Sequence, residues 1–180
     1  LGTATLWDSV DLGFKPTKRT WGAEVFPGSS LPNAMVQVSP VTKFHSGAGY
    51  QYEDSVIYGF THTNKGHWNL CHIPLLPVTG TPTPGDYCSP FSHERESAAP
   101  GYYQVFLDRY GVDAQLSSTL RCAFHKYTYP AGAAASLLAD LQRSNEHVRA
   151  WDIRKEGDNV FAGWQQTGEK MYFYAVANRP

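Results

Sequence analysis

Aromatic and hydrogen-bonding side chains are concentrated in residues 25–76, in short segments between strand-like runs. A pyranose ring has an apolar C–H face, which stacks on aromatic rings, and a rim of hydroxyls, which needs polar partners. Segments that combine flat rings with polar tips therefore predict a carbohydrate-binding surface. The candidate substrate-binding residues are Trp21, Phe44, His45, His62, Asn64, Lys65, His67 and Trp68.

The loop 63–69 concentrates this chemistry, because it holds an indole, an imidazole, an amide and an ammonium group. It follows a predicted strand, and loops at strand ends are where rigid scaffolds present binding groups. Alternatively, Trp21 and Trp68 cap the core, and the many aromatic residues serve only strand packing. The presence of Lys65 two residues before His67 favours binding over packing for this loop.

Neither a metal site nor a nucleophile is predicted. His62, His67 and His72 are five residues apart, whereas zinc sites use closer pairs. The sequence has no GxSxG motif, and Cys71 lies in an apolar run, where a thiol is usually inert. We therefore expect the chain to bind no metal cofactor and to supply no nucleophile.

Glycoside hydrolysis needs two carboxylates placed on either side of the scissile bond. The candidate pairs are Glu53 with Asp54 and Glu94 with Glu96. Carboxylates this close together in a polar loop are usually just solvated, so we expect neither pair to be catalytic. The chain alone is therefore not expected to hydrolyse glycosides.

The chain has 180 residues, of which 42% are hydrophobic and 14% aromatic, and a net charge of −1. This size fits one large domain, or a piece of a larger protein, with enough apolar residues for a core. The lack of a basic run argues against nucleic-acid binding, and no apolar run is long enough to span a membrane. A high aromatic and low charged content suits a β-rich protein that meets carbohydrate, so we expect a secreted or periplasmic location.

Three cysteines, Cys71, Cys88 and Cys122, leave at least one thiol without an internal partner. A Cys71–Cys88 bridge and buried free thiols are both compatible with the sequence. The chain begins with neither a methionine nor a signal peptide, and it stops just after a strand-like run at 171–177. We therefore expect a trimmed start and a domain that is cut at its end.

Apolar and polar residues alternate through much of the chain, which predicts a mostly β structure with turns that favour a sandwich or barrel. Residues 133–143 are rich in Ala and Leu, which favours a helix, but the neighbouring strands lead us to predict a strand. Residues 77–100 lack periodicity and are predicted to form a long surface loop. The best strand candidates are residues 35–38, 56–60, 72–76, 102–107, 113–118, 121–127, 148–154, 159–165 and 171–177.

Several longer motifs occur in order along the chain. They are FPGSSLPNAMVQVSP at residues 26–40, GYQY at 49–52, GFTHT at 59–63, IPLLPVTG at 73–80, FSHERE with PGYYQV at 91–105, and RCAFHKYTYP at 121–130. Together they resemble the motifs of glycoside hydrolase family ninety-two. Because the matches are ordered and span most of the sequence, the chain is identified as a member of this family.

The resemblance implies the N-terminal domain of a calcium-dependent, inverting exo-α-mannosidase. The implied fold is all-β, an antiparallel β-sandwich of the galactose mutarotase-like (supersandwich) type, here incomplete at the C-terminus. Residues 1–180 are then one sandwich domain, which packs against an α-helical toroid domain of the same polypeptide. That catalytic domain, which is not in this chain, carries the acid and base carboxylates and the calcium, and the shared substrate is a mannose-containing glycan.

The sequence departs from the family pattern in two places. A glycine-rich turn near the start is replaced by residues 12–21, and the small-residue loop after GFTHT is replaced by residues 64–68. In the family both places approach the substrate, so these departures bear on sugar specificity. Two functions of other classes stay open, namely a stand-alone carbohydrate-binding module and an interaction domain without glycan contact.

Overall fold

The computed structural model describes residues 26–65 and 68–179, so the predicted site residues Trp21 and His67 lie outside it. Within these ranges the chain forms sixteen β-strands and a 3-10 helix of three residues, and no helix there is long and apolar enough to cross a membrane. The elements are β1 Ser29–Ser30, β2 Gln37–Val41, β3 Val56–Ile57, β4 Gly59–Thr61, β5 Asn64–Lys65, β6 Trp68–Asn69, β7 Leu75–Thr79, β8 Ser89–Pro90, the 3-10 helix His93–Arg95, β9 Glu96–Ala99, β10 Tyr102–Leu107, β11 Val112–Ser118, β12 Ala123–Thr128, β13 Ala135–Ala139, β14 Ala150–Gly157, β15 Val160–Gln166 and β16 Lys170–Val176.

Two antiparallel sheets face each other and form a sandwich. One has the strand order β1-β2-β4-β7-β13 and the other β12-β11-β10-β9. Residues of β10 alternate, so that Tyr103, Val105 and Leu107 are fully buried while their neighbours are partly exposed. Phe60 of β4 and Leu76 of β7 meet these side chains in the shared core. The predicted all-β antiparallel sandwich is therefore confirmed.

A third antiparallel sheet, β14-β15-β16, packs against the first sheet through a smaller core. Leu75 and Leu141 form this core with Phe173 of β16. Because β16 alternates, its other face leaves Tyr172 and Tyr174 exposed by 70% and 66%. The remaining described strands form two short antiparallel pairs, β3–β8 and the hairpin β5–β6.

Most sequence-based expectations for the strands are confirmed, including residues 102–107 to the residue. In the ambiguous segment 133–143 a strand forms at Ala135–Ala139, because pairing with β7 outweighs the helical preference of Ala and Leu. The loop predicted for residues 77–100 is wrong at its start, where β7 continues to Thr79, and in its second half, which contains β8, the 3-10 helix and β9. β9 is an edge strand that pairs only with β10 in the described sheet, and an edge position needs little apolar alternation.

The three cysteines are free thiols, so the alternative with a Cys71–Cys88 bridge is not the one adopted. Cys71 is fully buried, and burial raises the pKa of its thiol to about 12. Cys122 is exposed and Cys88 is partly exposed. Only the thiolate is reactive, so Cys71 is an inert packing residue.

Candidate functional site

Two loops and a hairpin lie together and hold most of the described residues of the predicted site. The first loop, residues 42–49, follows β2, and the second loop, residues 140–148, follows β13. The hairpin is β5–β6, and its Asn69 donates its N–H to the carbonyl of Gly47 at 2.8 Å. The predicted site residues in these segments are Phe44, His45, Asn64, Lys65 and Trp68.

Asn145 of the second loop ties these segments together. Its Oδ1 accepts a hydrogen bond from the backbone N–H of His45 at 2.6 Å. Its Nδ2 donates to the carbonyl oxygens of Ser46 at 2.9 Å and Asn69 at 2.6 Å. In addition, its own N–H donates to the carbonyl of Leu70 at 3.1 Å. One residue therefore fixes the first loop and the hairpin relative to the second loop.

A cleft of about 470 Å³ opens between the two loops. It is lined by Phe44 and His45 from the first loop and by residues 142–144 and 146–148 from the second. The lining combines an aromatic ring with a guanidinium, a carboxylate, an amide and two imidazoles. This mixture provides both the apolar face and the hydrogen-bonding groups that a sugar requires.

Aromatic rings surround Arg143 at one wall of the cleft. Its guanidinium carbon lies 5.9 Å from the ring centre of Phe44 and 5.8 Å from that of Tyr58. Tyr87 is closer, at 5.4 Å, and the rings of Phe44 and Tyr58 meet edge to face at 5.8 Å. A salt bridge of 3.4 Å joins Arg143 Nε to Asp140 Oδ2. These cation–π and ionic contacts hold Phe44 as a flat surface in the wall.

Glu146 ends a chain of buried hydrogen bonds. The Thr167 hydroxyl donates a hydrogen bond to Glu146 Oε2 at 2.5 Å, so its oxygen accepts a hydrogen bond from His72 Nε2–H at 2.9 Å. His72 Nδ1 in turn accepts from the Thr63 hydroxyl at 2.8 Å. The other three residues of the chain are buried, whereas the Glu146 side chain is 44% exposed. The bond from Thr167 is the main cause that lowers the pKa of Glu146, so this carboxylate is ionised.

His62, which follows β4, bridges the two sheets of the sandwich. Its Nδ1 donates to the carbonyl of Ile73 at 2.9 Å, so its Nε2 accepts from Nε2 of His125 on β12, also at 2.9 Å. Nδ1 of His125 then accepts from the Tyr127 hydroxyl at 2.7 Å. Burial lowers the pKa of both histidines, that of His62 to about 4, so both are neutral. Glycan contact by His62 stays a prediction, and its ring nitrogens already bond within the domain.

Glu96 was expected to be solvated, and this expectation is wrong. Its buried carboxylate accepts hydrogen bonds from the hydroxyls of Tyr103 at 2.6 Å and Tyr50 at 3.1 Å. His93 Nδ1 lies 2.5 Å from the same carboxylate, and His93 Nε2 lies 2.6 Å from the carbonyl of Tyr52. A carbonyl can only accept, so Nε2 carries a proton, and the bond to Glu96 raises the pKa of His93. The result is an imidazolium–carboxylate pair with a fully buried Glu96 side chain and a His93 side chain that is 31% exposed, and this pair anchors the start of β9.

None of the predicted site residues lies in the second loop. Arg143, Asn145 and Glu146 belong to a run of six consecutive polar residues, 142–147, and this run was the available signal. The structure brings Lys65 close enough to help lower the pKa of Glu146, and it leaves Trp68 52% exposed. Among the residues that the structure describes, no group of three or more His, Cys, Asp or Glu is arranged to hold a metal ion.

Comparisons with known proteins agree on one family. The model of the N-terminal domain of glycosyl hydrolase family 92 matches residues 14–180. The family GH92 α-mannosidase BT3965 from Bacteroides thetaiotaomicron has 28% identity and a TM-score of 0.76, with 84% of this chain and 23% of that chain covered. The GH92 family glycosyl hydrolase ccman5 has 28% identity and a TM-score of 0.67, with 83% and 23% covered.

A third structure shares the fold at lower identity. The family GH92 inverting mannosidase BT2199 from Bacteroides thetaiotaomicron has 22% identity and a TM-score of 0.70, with 84% of this chain and 22% of that chain covered. The chain thus spans less than a quarter of the length of these solved proteins. No curated protein matches it. Since the family model covers nearly the whole sequence, the chain belongs to glycosyl hydrolase family 92, as its N-terminal domain.

Proposed function

We propose that this domain is part of an α-mannosidase-type glycoside hydrolase and that the full polypeptide removes mannose from glycans. Family membership carries the proposal, and it is supported by 28% identity to a solved α-mannosidase of the same family. The domain supports a catalytic domain of the same polypeptide and adds aromatic and polar contacts to the glycan site. Membership in a hydrolase family favours this function over a stand-alone carbohydrate-binding module.

The cleft and the hairpin supply the glycan contacts in this proposal. Phe44 presents a ring held in the cleft wall, and Trp68 presents a second ring that is half exposed. His45, Asn64 and Lys65 offer hydrogen bonds to hydroxyls beside these rings. The same predicted set includes Trp21, His62 and His67.

The chemical step is assigned to the catalytic domain. In an inverting glycosidase an acid protonates the leaving oxygen while a carboxylate activates water on the opposite face of the sugar. On the strength of the family resemblance, we assign both carboxylates to that domain, together with a calcium ion, a hard cation that oxygen ligands would hold. In this chain, Glu96 is enclosed and Asp54 accepts a hydrogen bond from the Thr42 hydroxyl at 2.8 Å. Secretion or a periplasmic location belongs to the same proposal.

The test compares the full polypeptide with this chain alone on α-mannobiose in the presence of calcium. We expect the full polypeptide to release mannose with inversion at the anomeric carbon, which NMR of the first-formed product detects. The 180-residue chain alone should show no turnover. Robust turnover by the chain alone that is lost on Glu94→Gln would overturn the assignment of the catalytic groups. Failure of the full polypeptide to cleave any α-mannoside would overturn the function itself.

A further inference from the structure

We propose that Glu146 is a specificity-determining residue of the glycan site, whose carboxylate accepts hydrogen bonds from ring hydroxyls of a neutral sugar in the cleft. This inference rests on the proposed function and deepens it by naming the group that recognises the hydroxyls. Three features of the structure carry it, namely the position of Glu146, the way it is held, and the charges around it.

Glu146 has the position that such a contact requires. It lines the cleft together with Phe44 and Arg143, and its side chain retains 44% exposure. Phe44 offers the ring face on which a pyranose stacks, so the hydroxyl rim of the same sugar faces the polar part of the lining. A carboxylate accepts through two oxygens and so can bind two neighbouring hydroxyls at once.

The hydrogen-bond chain from Thr63 holds Glu146 in a fixed orientation. A surface glutamate normally samples many rotamers, and ordering such a side chain costs conformational entropy. Here the Thr167 hydroxyl, which is fully buried, donates to Oε2, and His72 behind it is 1% exposed. Each donor in this series of hydrogen bonds has an acceptor, so Thr63, His72 and Thr167 together hold the Glu146 carboxylate in one orientation. Supports of this kind are what preorganise a binding group.

The surrounding charges favour a neutral ligand over a cation. Lys65 on the hairpin acts electrostatically to lower the pKa of Glu146, whereas His72 accepts at Nδ1 and donates at Nε2 and is therefore neutral. The guanidinium of Arg143 lines the same cleft. Positive groups therefore balance the carboxylate, and the cleft gains little from binding a metal ion or an amine. A polyhydroxylated sugar needs strong acceptors without needing net charge, and it fits this balance.

The test uses the full polypeptide with α-mannobiose and its monodeoxy analogues. Glu146→Gln keeps the size of the side chain and an acceptor for Thr167, but it removes the charge and one acceptor. For wild type, kcat/KM should fall about tenfold or more on removal of one or two particular hydroxyls, as expected for hydrogen bonds to a charged group. In Glu146→Gln, kcat/KM on the parent disaccharide should fall by a similar factor, and the discrimination against those analogues should disappear.

A matched pair of variants separates recognition from stability. Thr167→Val removes the hydroxyl that orients Glu146, while Thr167→Ser retains it, so only Thr167→Val should reproduce the loss of discrimination. If Glu146→Gln lowers Tm but discriminates between the analogues as wild type does, the inference is wrong while the proposed function stands. If the polypeptide cleaves no α-mannoside, its binding of α-mannobiose is measured by calorimetry instead. Equal affinity of wild type and Glu146→Gln, or binding by neither, would overturn the inference. If Glu146→Gln does not fold, the test rests on wild-type kcat/KM for the monodeoxy analogues. Equal kcat/KM on every analogue would then overturn the inference.

Discussion

Replacing Asn145 by alanine should release the walls of the cleft from each other while the sandwich stays folded. The Asn145 side chain makes three hydrogen bonds, to the N–H of His45 and to the carbonyls of Ser46 and Asn69. At about 1 kcal/mol net for each bond, their loss destabilises the closed arrangement by about 3 kcal/mol. This difference corresponds to roughly a hundredfold larger population of the open loops.

Hydrogen exchange in the full polypeptide, read by mass spectrometry, measures that population locally. Peptides covering residues 42–49 should exchange about a hundredfold faster in Asn145→Ala, and peptides covering β10 serve as the internal control. Asn145→Asp keeps the oxygen that accepts from His45, but it replaces the donating Nδ2 by an oxygen that faces the carbonyls of Ser46 and Asn69. These oxygens repel one another, so this variant should open the loops at least as much as Asn145→Ala. Exchange at the wild-type rate in residues 42–49 of both variants would refute the role given to Asn145.

Three further outcomes follow from the structure. Because the pKa of His62 is lowered from 6.5 to about 4, protons bind the unfolded chain preferentially, and the free energy of unfolding should fall from pH 6.5 toward pH 4. A double variant, His62→Gln with His125→Gln, whose free energy of unfolding falls equally steeply over this range would contradict this. Under native conditions a thiol reagent should label exposed Cys122 and spare buried Cys71, and equal labelling of both by mass spectrometry would refute the described burial. If the full polypeptide cleaves mannosides as proposed, Trp68→Ala should lose about 1–3 kcal/mol of transition-state binding with little change in Tm, whereas unchanged kcat/KM with a lower Tm would leave Trp68 a packing role only.

Sandwich strands were predictable because they repeat every two residues against a single core. β10 is the clearest case, since Tyr103, Val105 and Leu107 all point to the same side. β9 was not predictable on this basis, because its sequence Glu-Ser-Ala-Ala has no apolar alternation and its place is set by pairing with β10. The local signal for β9 was the Pro-Gly turn at residues 100–101 that joins it to β10, and not an alternation of residues.

The candidate site was predictable only in part, for a related reason. Phe44 and His45 were named from residue type, and the structure places both in a cleft. The opposite wall comes from residues about a hundred positions later, and His45 and Asn145 meet only in the folded chain. Glu96 was mispredicted for the same reason. Its polar neighbours in the sequence suggested a solvated side chain, whereas Tyr50 and Tyr103 bury it in the folded domain. Tertiary contacts decided each of these cases.

The ion pair of buried Glu96 and partly exposed His93 constrains how this domain can evolve. Removing one partner of a buried ion pair costs about 3–5 kcal/mol, while the total stability of a domain is about 5–15 kcal/mol. Because Glu96 is fully buried while His93 is 31% exposed, a single substitution at either residue should remove a substantial part of that stability, and a substitution at Tyr50 or Tyr103 should remove less, since each donates one hydrogen bond to Glu96. A joint replacement by apolar residues of similar volume would avoid that loss. We expect these four positions to covary among relatives of this domain. Sequences that are intermediate between the polar set found here and an apolar set should be rare.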